Sequence, residues 1–242
     1  MRDARYLIVN ADDFGYSRSV NRGVIEAHER GIVTSASLMV DRPGAVEAAE
    51  YAREHPQLGV GLHVELDAWR VARIPRKGAA RSTAALEQRV SAQSSEQLER
   101  FRSLMGRDPS HLDSHHHRHV RADVRPVLER LADELEVPLR RCDTRVRFCG
   151  AFYGHDGKGR PDPDAITPEA LVALLEGLEP GVTELCCHAG YAEELDDWYR
   201  TEREQEVRTL CDAAVRETVA RLEIELCTFD VVRSLQLEGP RT

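Results

Sequence analysis

Tyr6-Leu-Ile-Val-Asn10, followed directly by Ala11-Asp12-Asp13-Phe14-Gly15, is a short apolar, β-rich run that ends in two acids. Such a run reads as a buried strand. Ser19 to Gly31 then carries Val20, Val24, Ile25 and Ala27 at helical spacing, with Gly31 as a helix stop. Thr34-Ser-Ala-Ser-Leu-Met-Val40 reads as the next strand. Pro43 to His55 reads as a second helix, with Ala45, Val46, Ala49 and Ala52 on one face, and Leu58 to Leu66 as a third strand. A strand–helix–strand–helix–strand order calls for parallel pairing with the helices outside the sheet.

Beyond residue 66 the pattern is less regular. Ala68 to Ser82 is basic, contains Pro75 and Gly78, and reads as a surface loop. Leu86 to Met105 reads as a helix ended by Gly106, Ser110 to Asp113 as a strand, Arg121 to Leu135 as a helix and Val137 to Arg140 as a short strand. Arg145 to Pro163 is rich in glycine and charge and reads as loop, Pro168 to Leu178 as helix, and Val182 to His188 as strand. Arg203 to Arg221 reads as one long helix, and Ile224 to Phe229 as a last strand before a short terminal helix. With no repeat, long linker or low-complexity segment, residues 1–242 are expected to form one α/β domain with a full core.

The bulk composition excludes several classes. Of the 242 residues 41% are hydrophobic and 31% charged, and no apolar run approaches the ~20 residues of a membrane span. The net charge of −9 argues against a nucleic-acid partner, which needs a basic face. Met1-Arg-Asp-Ala-Arg5 shows no signal-peptide pattern, and the six cysteines include no CxxC pair. The expectation is a cytoplasmic protein with reduced, structural thiols.

Polar, metal-binding residue types recur where the strands end: Asp12 and Asp13, His63, Asp113 and His115, and His188. Such residues at the carboxyl ends of parallel strands are the pattern of a (β/α) barrel site. Adjacent acids on a regular strand face opposite ways, so Asp12 and Asp13 address one site only if the chain turns there, as Phe14-Gly15 permits. Five histidines crowd His111-Leu-Asp113-Ser-His115-His116-His117-Arg-His119. An extended chain would put Asp113, His115, His117 and His119 on one face, and a helix would pair His115 with His119. Either geometry offers at least two imidazoles to one ion. A set of imidazoles and carboxylates suits zinc, nickel, cobalt or iron better than magnesium. One histidine, with His117 the candidate, and Asp113 fit the supporting shell that orients a ligating imidazole.

Five ordered motifs carry a resemblance. Val9-Asn-Ala-Asp-Asp-Phe-Gly15, Gly31-Ile-Val-Thr-Ser35, Gly61-Leu-His63, His111-Leu-Asp-Ser-His115-x-His117-x-His119 and Cys187-His-Ala-Gly-Tyr191 resemble the YdjC/ChbG-type carbohydrate deacetylases over nearly the whole chain. Phe152-Tyr-Gly154 and Arg203-Glu-x-Glu206 also resemble family features. The resemblance implies a distorted (β/α) TIM-like barrel, hydrolysis of an N-acetyl group from an amino sugar, and one divalent ion, zinc or magnesium, on Asp13, His63 and His115. It implies Asp12 as general base, His188 as general acid and, by the same token, a homodimer. Arg140, Tyr153 and Arg203 are candidates to touch the saccharide. Two departures stand out: Ala189 where the family usually has proline, which would loosen the loop carrying His188, and a short, basic segment between His63 and His111. The competing readings are a metal-dependent hydrolase of another amide or of a phosphoester, and a sugar- or metal-binding relative without activity. Two-metal phosphoesterases need more bridging carboxylates than Asp12, Asp13 and Asp113 offer.

Overall fold

The computed structural model describes residues 4–66, 79–156, 158–195 and 198–232. Among these, seven strands form one parallel sheet: β1 (Arg5–Phe14), β2 (Ser35–Leu38), β3 (Gly59–Val64), β4 (Leu112–Ser114), β5 (Val146–Cys149), β6 (Gly181–Cys187) and β7 (Glu225–Leu226). The order is β4-β3-β2-β1-β6-β5, and β7 lies against the start of β1. The connecting helices are α1 (Arg18–Glu29), α2 (Ala45–Glu54), α3 (Ala79–Met105), α4 (Arg125–Glu134), α5 (Pro168–Glu176), α6 (Thr201–Leu210) and α7 (Ala213–Arg221). Local chemistry sets their starts. Ser17, Thr167 and Asp212 each accept a bond from a first-turn amide, of Val20, Ala170 and Ala214.

The sheet curls into an open half-barrel. Leu139 pairs with Leu112 of β4, beyond one end of the strand order, and Val146 starts β5 at the other end. Seven residues reach at most about 25 Å, less than the roughly 29 Å that six strand spacings would cover in a flat sheet. The side chain of Arg140 makes the same point, since it bonds to Asp12 of β1, Ser37 of β2, Asp113 of β4 and Glu184 of β6.

Alternation along the strands separates two environments. One face of each strand packs against the helices: Val9, Ala11, Ala36, Leu38, Val60, Leu62, Leu112, Leu185 and Cys187 belong to that main core. The other face lines the barrel interior. At its bottom Ile8, Val182, Phe229 and Val232 form a separate apolar plug. Above it lie Asn10, Ser37, His111 and Glu184, all buried, and at the top Asp12, Asp113, Cys186 and His63.

Several sequence expectations need correction. Arg203 to Arg221 is two helices, because the Asp212 side chain caps a new start at Ala214. Val137 to Arg140 is a single bridged rung on β4, with Leu112 donating to Pro138 and Arg140 donating back to Leu112; Pro138 itself has no amide to extend the ladder. The expected loop Arg145 to Pro163 contains β5, a short, partly exposed edge strand. The basic stretch Ala68 to Ser82 falls mostly outside the described residues, and the chain is already helical from Ala79. After β7 a helical turn begins at residue 230, where the described residues end shortly afterwards.

Candidate active site

The end of β1 turns both acids into the cleft. Its register against β2 shifts between Ala11 and Phe14, and Asp13 adopts a left-handed φ of 66°. Aspartate tolerates this region better than most residues, at a cost of order 1 kcal/mol. Tyr16 N–H closes a turn onto the Asp13 carbonyl at 2.9 Å, and the Met39 amide picks up the Phe14 carbonyl at 2.7 Å. Asp12 and Asp13, adjacent in sequence, are thus both buried and both on the cavity wall.

Asp13, His63 and His115 come together. Asp13 Oδ1 lies 3.4 Å from His63 Nε2 and 3.1 Å from His115 Nδ1, and all three ligand atoms lie within 4.8 Å of one another. Ligands of a tetrahedral ion at about 2.0–2.2 Å are separated by roughly 3.4 Å, so the spacing fits. The hydrogen bonding fits as well. His63 Nδ1 lies 2.8 Å from Asp113 Oδ1 and donates to it, which points Nε2 at the Asp13 carboxylate; burial would lower this imidazole, but Asp113 and then Asp13 hold it well above the usual range. That arrangement calls for a proton or a cation between Nε2 and the carboxylate. Asp113 sits on the outer nitrogen of His63, where a group that orients a ligating imidazole would sit. Burial would raise the Asp13 carboxyl, but the Arg203 guanidinium, 2.6 Å from Oδ2, and the two imidazoles hold it well below the usual carboxylate range.

Asp12 is held more firmly through Oδ1 than through Oδ2. Oδ1 accepts from Asn10 Nδ2 at 3.0 Å and Arg140 Nη1 at 2.7 Å, while Oδ2 faces Cys186 Sγ at 3.6 Å and His188 Nε2 at 3.9 Å. Burial would raise this carboxyl too, but Arg140 and then His63 outweigh it and keep it low. Arg140 is only 1% exposed and bonds inward to Asp12, Asp113, Glu184 and Ser37. The expectation that it touches substrate is thereby corrected: it lies behind the cavity wall and positions the carboxylates.

The segment after β6 is pinned without the family's proline. The Glu206 carboxylate accepts from the His188 amide, Arg203 Nη1 donates to the His188 carbonyl at 3.4 Å, and Tyr191 N–H donates to the Ser19 carbonyl at 3.1 Å. Gly190 lies so close to α1 that a Cβ on Gly23 would sit 2.6 Å from its nitrogen. Burial pushes the His188 imidazole down to about 4, with Asp12 offsetting only part of that, so the resting ring is neutral at pH 7. Glu206 also accepts from the Tyr199 hydroxyl at 2.5 Å, and Tyr199 in turn accepts from the Gly154 amide at 2.7 Å. Burial pushes the Glu206 carboxyl up to about 7.

Asp12, Asp13, His63, His115, His188 and Arg203 line a cavity of about 370 Å³. Tyr153 forms part of its wall, stacked on Tyr199 at 4.7 Å and tilted against His188 at 5.2 Å. Trp198, 62% exposed, stands on the rim against His155. Opposite, the Arg141 guanidinium lies 4.4 Å over Phe148. Flat apolar faces beside polar groups suit the face of a sugar ring.

The histidine cluster adopts neither geometry that its spacing suggested. Residues 115–120 form a 3₁₀ segment with His116 and His117 in left-handed conformations, φ 55° and 50°. His115 joins Asp13 and His63, and His116 and His117 line the cavity. His119 is buried against Ser114 Oγ, and His111 joins Ser37 and Ser110 inside the barrel. Among the described residues His117 Nδ1 has no hydrogen-bond partner and orients none of the candidate ligands, and its ring meets His119 and Phe148 edge-on. Sequence reasoning missed Glu184, Cys186, Tyr199 and the clamping role of Glu206. For two of these a signal existed: in Val182-Thr-Glu-Leu-Cys-Cys-His188, the alternate residues Glu184, Cys186 and His188 share one face.

Comparison with known proteins agrees with this geometry. The sequence model of the family described as YdjC-like protein matches residues 6–221. A carbohydrate deacetylase from Geobacillus stearothermophilus is 36% identical, the match covering 93% of this chain and 97% of that protein. One from Brevibacillus brevis is 33% identical over 92% of this chain and 98% of its own. Among solved structures, an Enterococcus faecalis V583 protein described as a candidate for cellobiose-phosphate cleavage superposes with a TM-score of 0.76 at 27% identity, covering 95% of this chain and 99% of that one.

Proposed function

Because this chain belongs to the YdjC-like protein family, we propose that it is a carbohydrate N-deacetylase. The reaction is hydrolysis of the acetamido group of an N-acetylated amino sugar, a chitooligosaccharide or related saccharide, to acetate and a free amine. The observation that carries this reading is the convergence of Asp13, His63 and His115 with Asp12 and His188 on one cavity.

Asp13, His63 and His115 would hold the divalent ion, zinc or magnesium, with zinc the better match to two imidazoles and one carboxylate. Such an ion supplies Lewis-acid polarisation of the amide carbonyl and a more acidic water. The protein's own residues do the rest. Asp12 Oδ2, which takes only the weak thiol hydrogen bond of Cys186 while Arg140 and Asn10 occupy Oδ1, accepts the proton of the attacking water. His188 starts neutral, so it must gain the proton it later gives to the departing nitrogen. Asp12 Oδ2 lies 3.9 Å from Nε2, a gap that one small side-chain shift or a single water closes for the transfer, and both groups keep low proton affinities that favour passing it on. Arg203 and the Tyr153–Tyr199 stack form the walls that orient the sugar. Residues 1–242 act as one deacetylase domain. Among the described residues no helix is long and apolar enough to cross a membrane; a cytoplasmic place stays our reading, and the family resemblance supports a homodimer.

The test is acetate release from N-acetylglucosamine mono- and oligosaccharides by metal-stripped protein reloaded with zinc, magnesium, cobalt or nickel. Metal-dependent release that drops about 10²–10⁴-fold in Asp12→Asn is expected. Release unchanged in Asp12→Asn would remove Asp12 from the base position, and no release from any sugar would sink the reading.

A further inference from the structure

Cys186 is the residue of the cavity wall that the deacetylase chemistry leaves unused. It lies on β6 two residues before His188, so the two side chains share the face turned to the barrel interior. Its sulfur lies 3.6 Å from Asp12 Oδ2, and His188 Nε2 lies 3.9 Å from the same oxygen. All three ligand atoms lie within 4.8 Å of one another. A tetrahedral ion with a metal–sulfur bond near 2.3 Å and metal–oxygen and metal–nitrogen bonds of about 2.0–2.2 Å separates sulfur from oxygen by about 3.6 Å and nitrogen from oxygen by about 3.4 Å. Asp12 Oδ1 is engaged by Arg140 and Asn10, which leaves Oδ2 as the oxygen that faces the thiol and the imidazole.

We propose that Asp12, Cys186 and His188 form a second, thiophilic metal site that binds zinc or cadmium when the ion is in excess, and that its occupation blocks turnover. The donor set of one thiolate, one imidazole and one carboxylate selects soft and borderline ions over magnesium. Binding there releases the Cys186 thiol proton to solvent. The site is weaker than the Asp13–His63–His115 set, for a reason visible in the supporting shell. His63 is oriented by Asp113, whereas among the described residues His188 Nδ1 has no hydrogen-bond partner. The blocking effect rests on the roles given above to Asp12 and His188, because an ion on both removes base and acid together. The binding itself does not rest on them.

Cadmium titration of the metal-stripped full chain, followed by bound-metal analysis and by the ultraviolet thiolate-to-metal charge-transfer band, tests the binding. The wild type is expected to take up a second, weaker cadmium ion that brings the band with it. Cys186→Ser, and Cys186→Ala as a second variant, are expected to bind one ion fewer and show no such band. In acetate-release assays, zinc at about ten times its dissociation constant for the second site lowers wild-type turnover about 10-fold. Relative to each protein's own uninhibited rate, the inhibitory zinc concentration rises at least about 10-fold in either variant, the loss that even a supporting partner produces. A wild type without the band, or variants that keep both the band and the second ion, would overturn the proposal. Band and second ion in a protein that releases acetate from no sugar would uphold the site and overturn the deacetylase reading instead.

Discussion

Replacing Arg140 by methionine removes a fully buried guanidinium that faces Asp12, Asp113 and Glu184 inside the barrel. Methionine keeps much of the side chain's volume, so the loss is chiefly one of charge and hydrogen bonds. Removing one partner of a buried ionic cluster costs about 3–5 kcal/mol, because the remaining charges stay in a low-dielectric interior. For a chain of this size that corresponds to a fall in Tm of roughly 6–20 °C. The pH dependence carries its own signature. In the wild type, Asp12 and Asp113 lie below the ordinary range, so both are ionised in folded and unfolded states above about pH 4 and add no slope there. Without Arg140, burial raises the folded-state value of Asp12 above the unfolded one, while Asp113 keeps His63 beside it. The folded state then binds more protons, and stability falls as pH rises through that window. The gap between variant and wild type should therefore be wider at about pH 8 than at about pH 5. Urea unfolding with chelator present, followed by circular dichroism at both pH values, measures it. Arg140→Lys should lie in between, because it restores the charge without the planar fork. A loss below about 1 kcal/mol, or a gap that does not widen with pH, would refute the view that Arg140 holds Asp12 ionised.

Three further outcomes are expected. His115→Ala should lose both bound metal and turnover, whereas Asp12→Asn should keep the metal and lose turnover; bound-metal analysis beside acetate release separates them. His111 and His119 are pushed down to about 3 by burial, against about 6.5 in the unfolded chain. The unfolded state therefore binds more protons between those values, and stability drops as pH falls through about 6.5 toward about 3, by roughly 1.4 kcal/mol per pH unit for each ring. Flat stability between about pH 6.5 and pH 5 in urea titrations would contradict that assignment. Gly23→Ala should cost about 1–3 kcal/mol and lower kcat, since the new methyl would meet the Gly190 backbone and displace the segment bearing His188; thermal melting and acetate release report the two effects.

Much of this was legible in the chain. Six of the seven strands and the helices of the first half follow from apolar runs bounded by turn residues, because burial on both faces of a parallel sheet demands such runs. The convergence of Asp13, His63 and His115 was legible through their motifs. Two failures have local causes. β5 was hidden because Val146-Arg-Phe-Cys149 is a partly exposed edge strand whose short alternation resembles loop. The break between α6 and α7 was hidden because a single side chain, Asp212, makes it inside an otherwise helical pattern.

The sequence by itself determined which residues alternate into the barrel and which motifs end its strands, since period and turn chemistry are local properties of the chain. Only the tertiary structure decided what those residues do there. It turned Asp13 through a left-handed conformation so that adjacent acids share one cleft, sent the five clustered histidines to different environments, and drew Arg140 from the cavity wall into the carboxylates behind it. Closing the sheet brings together residues far apart in the chain, such as Asp12 and Cys186. Distances of that kind depend on curvature and register across strands, which no local pattern encodes.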